Sequence, residues 1–231
     1  MSKTTEPSPG YKALLRRFVP ESVLKERGIY LRLGRKAGAT YLRLRLFDTL
    51  GLKGARSVVP KTAKSFLFVC FGNIMRSPMA ERFMKREVRH RTPNSVRIAS
   101  AGLHATPGNA AHPWALAASA DFGISLDNHR AQLLTAEMVE QMDAIFAMDF
   151  QNLAELRALY PDSKHKIFML SAYLDGPGRN REFTDPYYGD VETTRSCYRL
   201  LQTCVRNLAA DVFASSPDNP ADDPSRPLGK H

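Results

Sequence analysis

The stretch Ser65-Phe-Leu-Phe-Val-Cys70-Phe-Gly-Asn-Ile-Met-Arg76-Ser77-Pro78 decides the reading of this chain. Phe66 to Val69 is a continuous apolar run of strand length, the pattern of a parallel strand covered on both faces. Pro78 stands at a favoured first-turn helix position, and Met79 to Arg89 continue as a helix. Between strand and helix, a five-residue spacer separates Cys70 from Arg76. Such a spacer lets the chain curl so that successive backbone N–H groups point inward as an anion-binding nest. Gly72 and Asn73 are the residues most tolerant of the positive φ that the curl needs. The following helix aims its partially positive end at the same spot, and Arg76 offers a planar fork that matches two phosphate oxygens. Phe71, Gly72, Asn73, Ile74, Met75 and Ser77 are therefore expected to cradle a phosphate group beside Cys70. A thiolate attacks phosphorus where a thiol does not, and these surroundings favour the anion; a hydroxyl at Ser77 would support it as nucleophile and as leaving group.

Working outward, short apolar runs alternate with helical patterns. Val96–Ala99, Ala144–Ala147 and Lys166–Met169 read as further strands. His112 to Phe122, ending at Gly123, and residues 149–159 read as helices. From Glu192, Cys197, Leu200, Leu201, Cys204, Leu208 and Val212 recur three and four apart, which predicts one long amphipathic helix. Alternation of this kind implies an α/β fold: a four-stranded parallel sheet with helices on both faces.

The bulk numbers divide the chain. The 231 residues carry a net charge of +10, yet residues 1–64 alone hold 15 Lys and Arg against four acids, a net of +11. The remainder is close to neutral, which argues against reading the whole chain as a nucleic-acid binder. Three units are expected: a basic N-terminal extension (1–64), a catalytic domain (65–215) and a proline-rich tail (216–231) disordered by composition. Three cysteines make a disulfide framework improbable and fit a reducing, cytoplasmic compartment. The N-terminus has no apolar h-region, and no run of about 18 apolar residues occurs that could cross a membrane. Nothing in the sequence calls for a metal or cofactor.

The run Val69 to Glu81 (VCFGNIMRSPMAE) resembles the signature of the low-molecular-weight protein tyrosine phosphatases. Further matches follow in order: Ser100-Ala-Gly102, His129-Arg-Ala-Gln132, Ala147-Met-Asp149 and Asp185-Pro-Tyr-Tyr188. The resemblance covers about residues 65–213. It implies a phosphotyrosine hydrolase working through a phosphocysteine on Cys70, with Arg76 binding phosphate. Asp185 is implied as the general acid and base, in a loop marked by Pro186 and Gly189, where Pro186 restricts the backbone before it. By the same resemblance Tyr187 and Tyr188 flank the substrate ring, and Ser100 and His129 tie down Asn73. The implied partners are a tyrosine-phosphorylated protein and the tyrosine kinase that made it.

Two enzymes of the same fold compete with this reading. An arsenate reductase would need relay cysteines, for which only Cys197 and Cys204 are available, both on the apolar face of the last helix. A phosphoarginine phosphatase has Thr where this chain has Ile74, and the aliphatic side chain favours phosphotyrosine. A catalytically dead phosphate-reading module would not need Cys70, Arg76 and Asp185 together. Met75 departs from the family, which often has a second cysteine there, and the basic extension exceeds the family's minimal length.

Within the extension, Tyr30-Leu-Arg-Leu33 recurs as Tyr41-Leu-Arg-Leu44, an 11-residue spacing that suits a helix, although 41–47 also alternates as a strand would. Its charge suits an electrostatic tether to an anionic surface: the inner membrane leaflet or an acidic partner, with nucleic acid a poorer match.

Overall fold

The structure is a computed structural model that describes residues 20–52, 58–89, 91 and 96–214. The tail expected to be disordered lies outside these residues. The elements run in the order α1 (Glu21–Thr49), β1 (Ser65–Cys70), α2 (Arg76–Arg89), β2 (Arg97–Gly102), α3 (Pro113–Ala120), α4 (Ala136–Gln141), β3 (Ala144–Ala147), α5 (Phe150–Leu159), β4 (Ile167–Met169) and α6 (Val191–Val212). The four strands form one parallel sheet in the order β2-β1-β3-β4.

Every residue of β1 is buried, and its side chains alternate between two cores. Phe66 and Phe68 face a core shared with α2, α3 and α6, while Leu67 and Val69 face one shared with α4, α5 and α1. Burial on both faces is why the strand reads as unbroken apolar sequence rather than as alternation. The chain leaves β1 for β2 on one side, and later returns to β3 on the other. Cys70 thus ends its strand where the strand order reverses, the crevice in which open parallel sheets bind ligands.

The expected strands and helices are found with shifted ends, and α4 is an addition. The helix from His112 stops at Ala120 rather than Phe122; the His112 ring caps it by accepting from the Trp114 N–H.

The larger addition is α1, in a region expected as a charged extension. It breaks at Gly34 (φ 73°), a left-handed conformation that glycine adopts without penalty. There the chain doubles back, so that Arg45 meets Glu26 at 3.0 Å. The two arms cross closely at Gly38, where a Cβ would lie 2.9 Å from the Tyr30 carbonyl oxygen. Ile29 and Tyr41 are buried and join the core of α5 together with Leu33 and Leu44. Of the 11-residue repeat, Tyr41, Leu33 and Leu44 thus face inward on a helical hairpin, while Leu31 and Leu42 stay exposed. A cavity of about 230 Å³ lies between this hairpin, α5 and Arg179–Arg181, away from Cys70.

Candidate active site

After β1 the chain curls through Phe71 to Met75 and enters α2 at Arg76. Asn73 takes φ 53°, the left-handed conformation that the sequence assigned to Gly72 or Asn73. Three bonds from its side chain hold it there. Nδ2 donates to Ser77 Oγ (2.8 Å) and Ser100 Oγ (3.0 Å), and Oδ1 accepts from Gln132 N–H (2.9 Å). Ser100 Oγ in turn donates to Glu81 (2.5 Å). His129 Nε2 lies 2.6 Å from the Asn73 carbonyl, so that nitrogen carries the proton. Burial lowers the His129 pKa, with Arg82 and Arg130 adding to it against the pull of that carbonyl and Glu81, which favours the neutral ring.

The remaining turns are pinned through the backbone. Leu103 N–H reaches the Cys70 carbonyl, His104 N–H that of Phe71, and His112 N–H that of Ile74. Tyr198 of α6 donates its hydroxyl to the Met75 carbonyl (3.1 Å). Gly102 passes beneath the curl so closely that a Cβ would sit 2.7 Å from the Phe71 oxygen and 2.8 Å from the Asn73 nitrogen.

Inside this frame, Cys70 Sγ receives the Asn73 N–H (3.3 Å) and lies 3.0 Å from Ser77 Oγ. Arg76 is 2 % exposed and bridges two carboxylates: Nη1 meets Asp149 at 2.8 Å and Nη2 meets Asp185 at 2.6 Å. Burial alone would lower the Arg76 pKa, but Asp149, Asp185 and Cys70 outweigh it and raise it further. The guanidinium is therefore a permanent cation whose geometry is held from outside the loop. Nη1 also reaches the Phe183 carbonyl (3.4 Å), and Asp185 caps the turn Pro186–Tyr188 by accepting from Tyr187 N–H.

Phe71 and Tyr187 both take part in aromatic contacts. Phe71 stacks on His104 with centroids 4.6 Å apart, and Tyr187 packs edge-on to both His112 and Tyr188. Tyr188 is 86 % exposed and lies outermost. Cys197 and Cys204 are buried on the core face of α6. Burial pushes the Cys197 thiol up to about 12 and that of Cys204 up as well. Among the described residues no group of three or more His, Cys, Asp or Glu could hold a metal ion.

The fold thus brings together Cys70, Arg76, Ser77, Asn73, Ser100, His129 and Asp185, which lie as far as 115 residues apart in sequence. It adds Asp149, Glu81 and Gln132, which lie in the matching stretches but to which the sequence reading assigns no role. Asp149 had a local signal, because an Asp before a helix caps its amides; here Oδ1 accepts from Asn152 N–H. Nothing local announced that its other oxygen would hold Arg76.

A strand-end cysteine and a buried arginine on a loop after the first strand of a parallel sheet are the arrangement of a phosphatase. The chain belongs to the low molecular weight phosphotyrosine protein phosphatase family, whose model matches residues 65–217. It is 33% identical over 145 residues to the low molecular weight protein-tyrosine-phosphatase Etp of Escherichia coli K12, spanning 63% of this chain and 92% of that one. It is also 33% identical over 146 residues to the protein-arginine-phosphatase of Bacillus subtilis, spanning 63% and 95%. The crystal structure of the tyrosine phosphatase Wzb from E. coli K30 in complex with sulphate matches with a TM-score of 0.58 at 29% identity, covering 64% of this chain and 97% of that one. Residues 20–52 lie outside the family match.

Proposed function

We propose that this phosphatase hydrolyses phosphotyrosine in proteins, with Cys70 as nucleophile, Arg76 as phosphate ligand and Asp185 as acid and base. Cys70 Sγ bonds to phosphorus as the bond to the phenolic oxygen breaks, and the Asp185 carboxyl gives its proton to that oxygen. Water then attacks the phosphocysteine, Asp185 takes the water's proton, and phosphate departs as the thiolate is regained. A phenol has a pKa of about 10, so its departure gains from an acid, to the order of 10²–10⁴ in rate. The observation that supports the assignment is Cys70 Sγ seated on the Asn73 amide at 3.3 Å and beside Ser77 Oγ, with Arg76 at the end of the same loop and Asp185 2.6 Å from that arginine.

The aromatic side chains of Phe71, Tyr187 and Tyr188 suit an aryl ring, and Ile74 presents no hydroxyl to a guanidino phosphate. Relatives of both specificities share this fold, so these side chains and Ile74 carry the choice. The buried thiols of Cys197 and Cys204 are poor relay nucleophiles, which speaks against arsenate reduction. The substrate is accordingly the product of a tyrosine kinase. The test is kcat/KM on matched phosphotyrosine and phosphoarginine peptides, with Cys70→Ser as blank. A preference for phosphotyrosine of about tenfold or more is expected, the scale of discrimination an apolar pocket achieves. The opposite preference would overturn the substrate assignment.

The hairpin supports a second role, as a tether to an anionic membrane surface at the cytoplasmic face. No helix among the described residues is long and apolar enough to cross a membrane. The hairpin exposes Leu31, Leu42, Leu46 and Leu50 among the exposed bases Lys25, Arg27, Arg35, Lys36 and Arg43. That mixture is the composition of an interfacial helix. Co-sedimentation with anionic but not neutral vesicles, lost in a Leu42→Ser/Leu46→Ser variant and at high salt, is the expected result. Binding to neither vesicle type would leave an acidic protein partner as the reading of the charge.

A further inference from the structure

The hairpin does more than cover α5, because one of its residues reaches the loop that carries Asp185. Arg45 lies among three carboxylates: Glu26 at 3.0 Å, Glu182 at 3.3 Å and Asp48 at 3.8 Å. Glu182 stands three residues before Asp185. Its other oxygen accepts the Phe150 N–H (2.9 Å) at the start of α5, next to Asp149, which holds Arg76. The intervening Phe183 is bonded at both backbone atoms, N–H to the Met148 carbonyl and its own carbonyl to Arg76. The entry to the acid loop is therefore fastened at one end by Arg45 and at the other by Arg76.

The charges explain why a cation is needed there. Burial pushes the Glu182 carboxyl up, and Asp149 and Glu26 push the same way against the Phe150 N–H and Arg45. Arg45 is the cation set against this crowding of negative charge.

We propose that Arg45 is a positioning residue: through Glu182 it sets the acid loop so that Asp185 meets the leaving oxygen. The idea rests on Asp185 being the acid. It assigns catalytic consequence to a segment outside the residues 65–217 that match the family.

The test is kcat/KM of the full-length protein on aryl phosphates of graded leaving-group basicity. Arg45→Ala should lose about tenfold on phosphotyrosine and less than about twofold on a strongly activated ester, which scarcely needs an acid. Arg45→Lys should recover part of the loss. In an Asp185→Asn background Arg45→Ala should cost nothing further, because two residues acting through one group are not additive. Should Arg45→Ala fail to fold, Glu182→Gln keeps the acceptor for Phe150 N–H, loses the charge and should show the same dependence. Equal losses on all esters, or full additivity with Asp185→Asn, would overturn the proposal. If Asp185→Asn itself showed no dependence on leaving group, the acid assignment would fall. A clear dependence for Asp185→Asn beside an inert Arg45→Ala would sink the brace alone.

Discussion

Replacing Asn73 by alanine isolates what holds the phosphate loop in shape. The side chain makes three buried hydrogen bonds, to Ser77, Ser100 and Gln132. At a net of about 1 kcal/mol each, their loss costs about 3 kcal/mol. Alanine must also hold φ 53°, where an L side chain is disfavoured by roughly 1 kcal/mol. The sum, about 4 kcal/mol, is a large part of the ~5–15 kcal/mol of a whole domain. For a chain of this size it corresponds to a Tm lower by roughly 8–16 °C. Asn73→Gly loses the same bonds but not the backbone penalty, and should melt above Asn73→Ala. Thermal unfolding by circular dichroism reads both. A fall below about 3 °C for alanine, or a glycine variant less stable than alanine, would refute the view that side-chain bonding and backbone conformation together hold the loop.

Cys70→Ser should abolish turnover yet leave phosphate binding by calorimetry largely intact, because the amides and Arg76 remain; activity above a few per cent refutes the nucleophile. Arg76→Lys should be severely impaired as well, since an ammonium cannot span Asp149 and Asp185 while presenting a fork to phosphate. Peroxide should inactivate the protein largely beyond rescue by dithiothreitol, since Met75 puts no thiol beside Cys70 and a sulfenic acid without one advances to sulfinic acid; full recovery would mean Cys197 or Cys204 reaches it. His129 has a lowered pKa when folded, so the unfolded chain binds the proton first and stability should fall as pH drops below about 6.5. His129→Gln should flatten that limb in urea titrations at several pH values, and an unchanged slope would exclude His129 as its source.

The central strand and its loop were legible because each step had a local cause. An apolar run buried on both sides, residues tolerant of positive φ, and a proline in the first turn of a helix all lie within 14 residues. Asp185 could be proposed because Asp-Pro in a loop is a local mark, strengthened by resemblance. What escaped were pairings that only the sheet order creates: Asp149 on Arg76, Glu81 on Ser100, Gln132 on Asn73. Charged residues at element ends look alike whether they face solvent or a buried partner. The hairpin escaped for a different reason. Its apolar residues are divided between a face packed on α5 and a face left open, so the helical 11-residue spacing competes with a strand-like alternation over 41–47, and the abundance of arginine reads as solvation. Gly34 was the one local hint of a reversal, and a lone glycine carries little weight.

The hairpin is joined by its own chain to the domain it packs on, and this changes what its contacts must achieve. A separate partner has to be present at a concentration near its Kd, whereas a segment on a short linker is held at an effective concentration in the millimolar range. Intramolecular docking then succeeds with an intrinsic affinity of only about −4 kcal/mol, the equivalent of a millimolar Kd. Burial of Ile29 and Tyr41 with a few ion pairs is of that order, at ~1.5–3 kcal/mol for each large apolar side chain. The contact is thus indifferent to dilution. A hairpin supplied as a free peptide to residues 65–231 would have to reach millimolar levels to occupy the same seat.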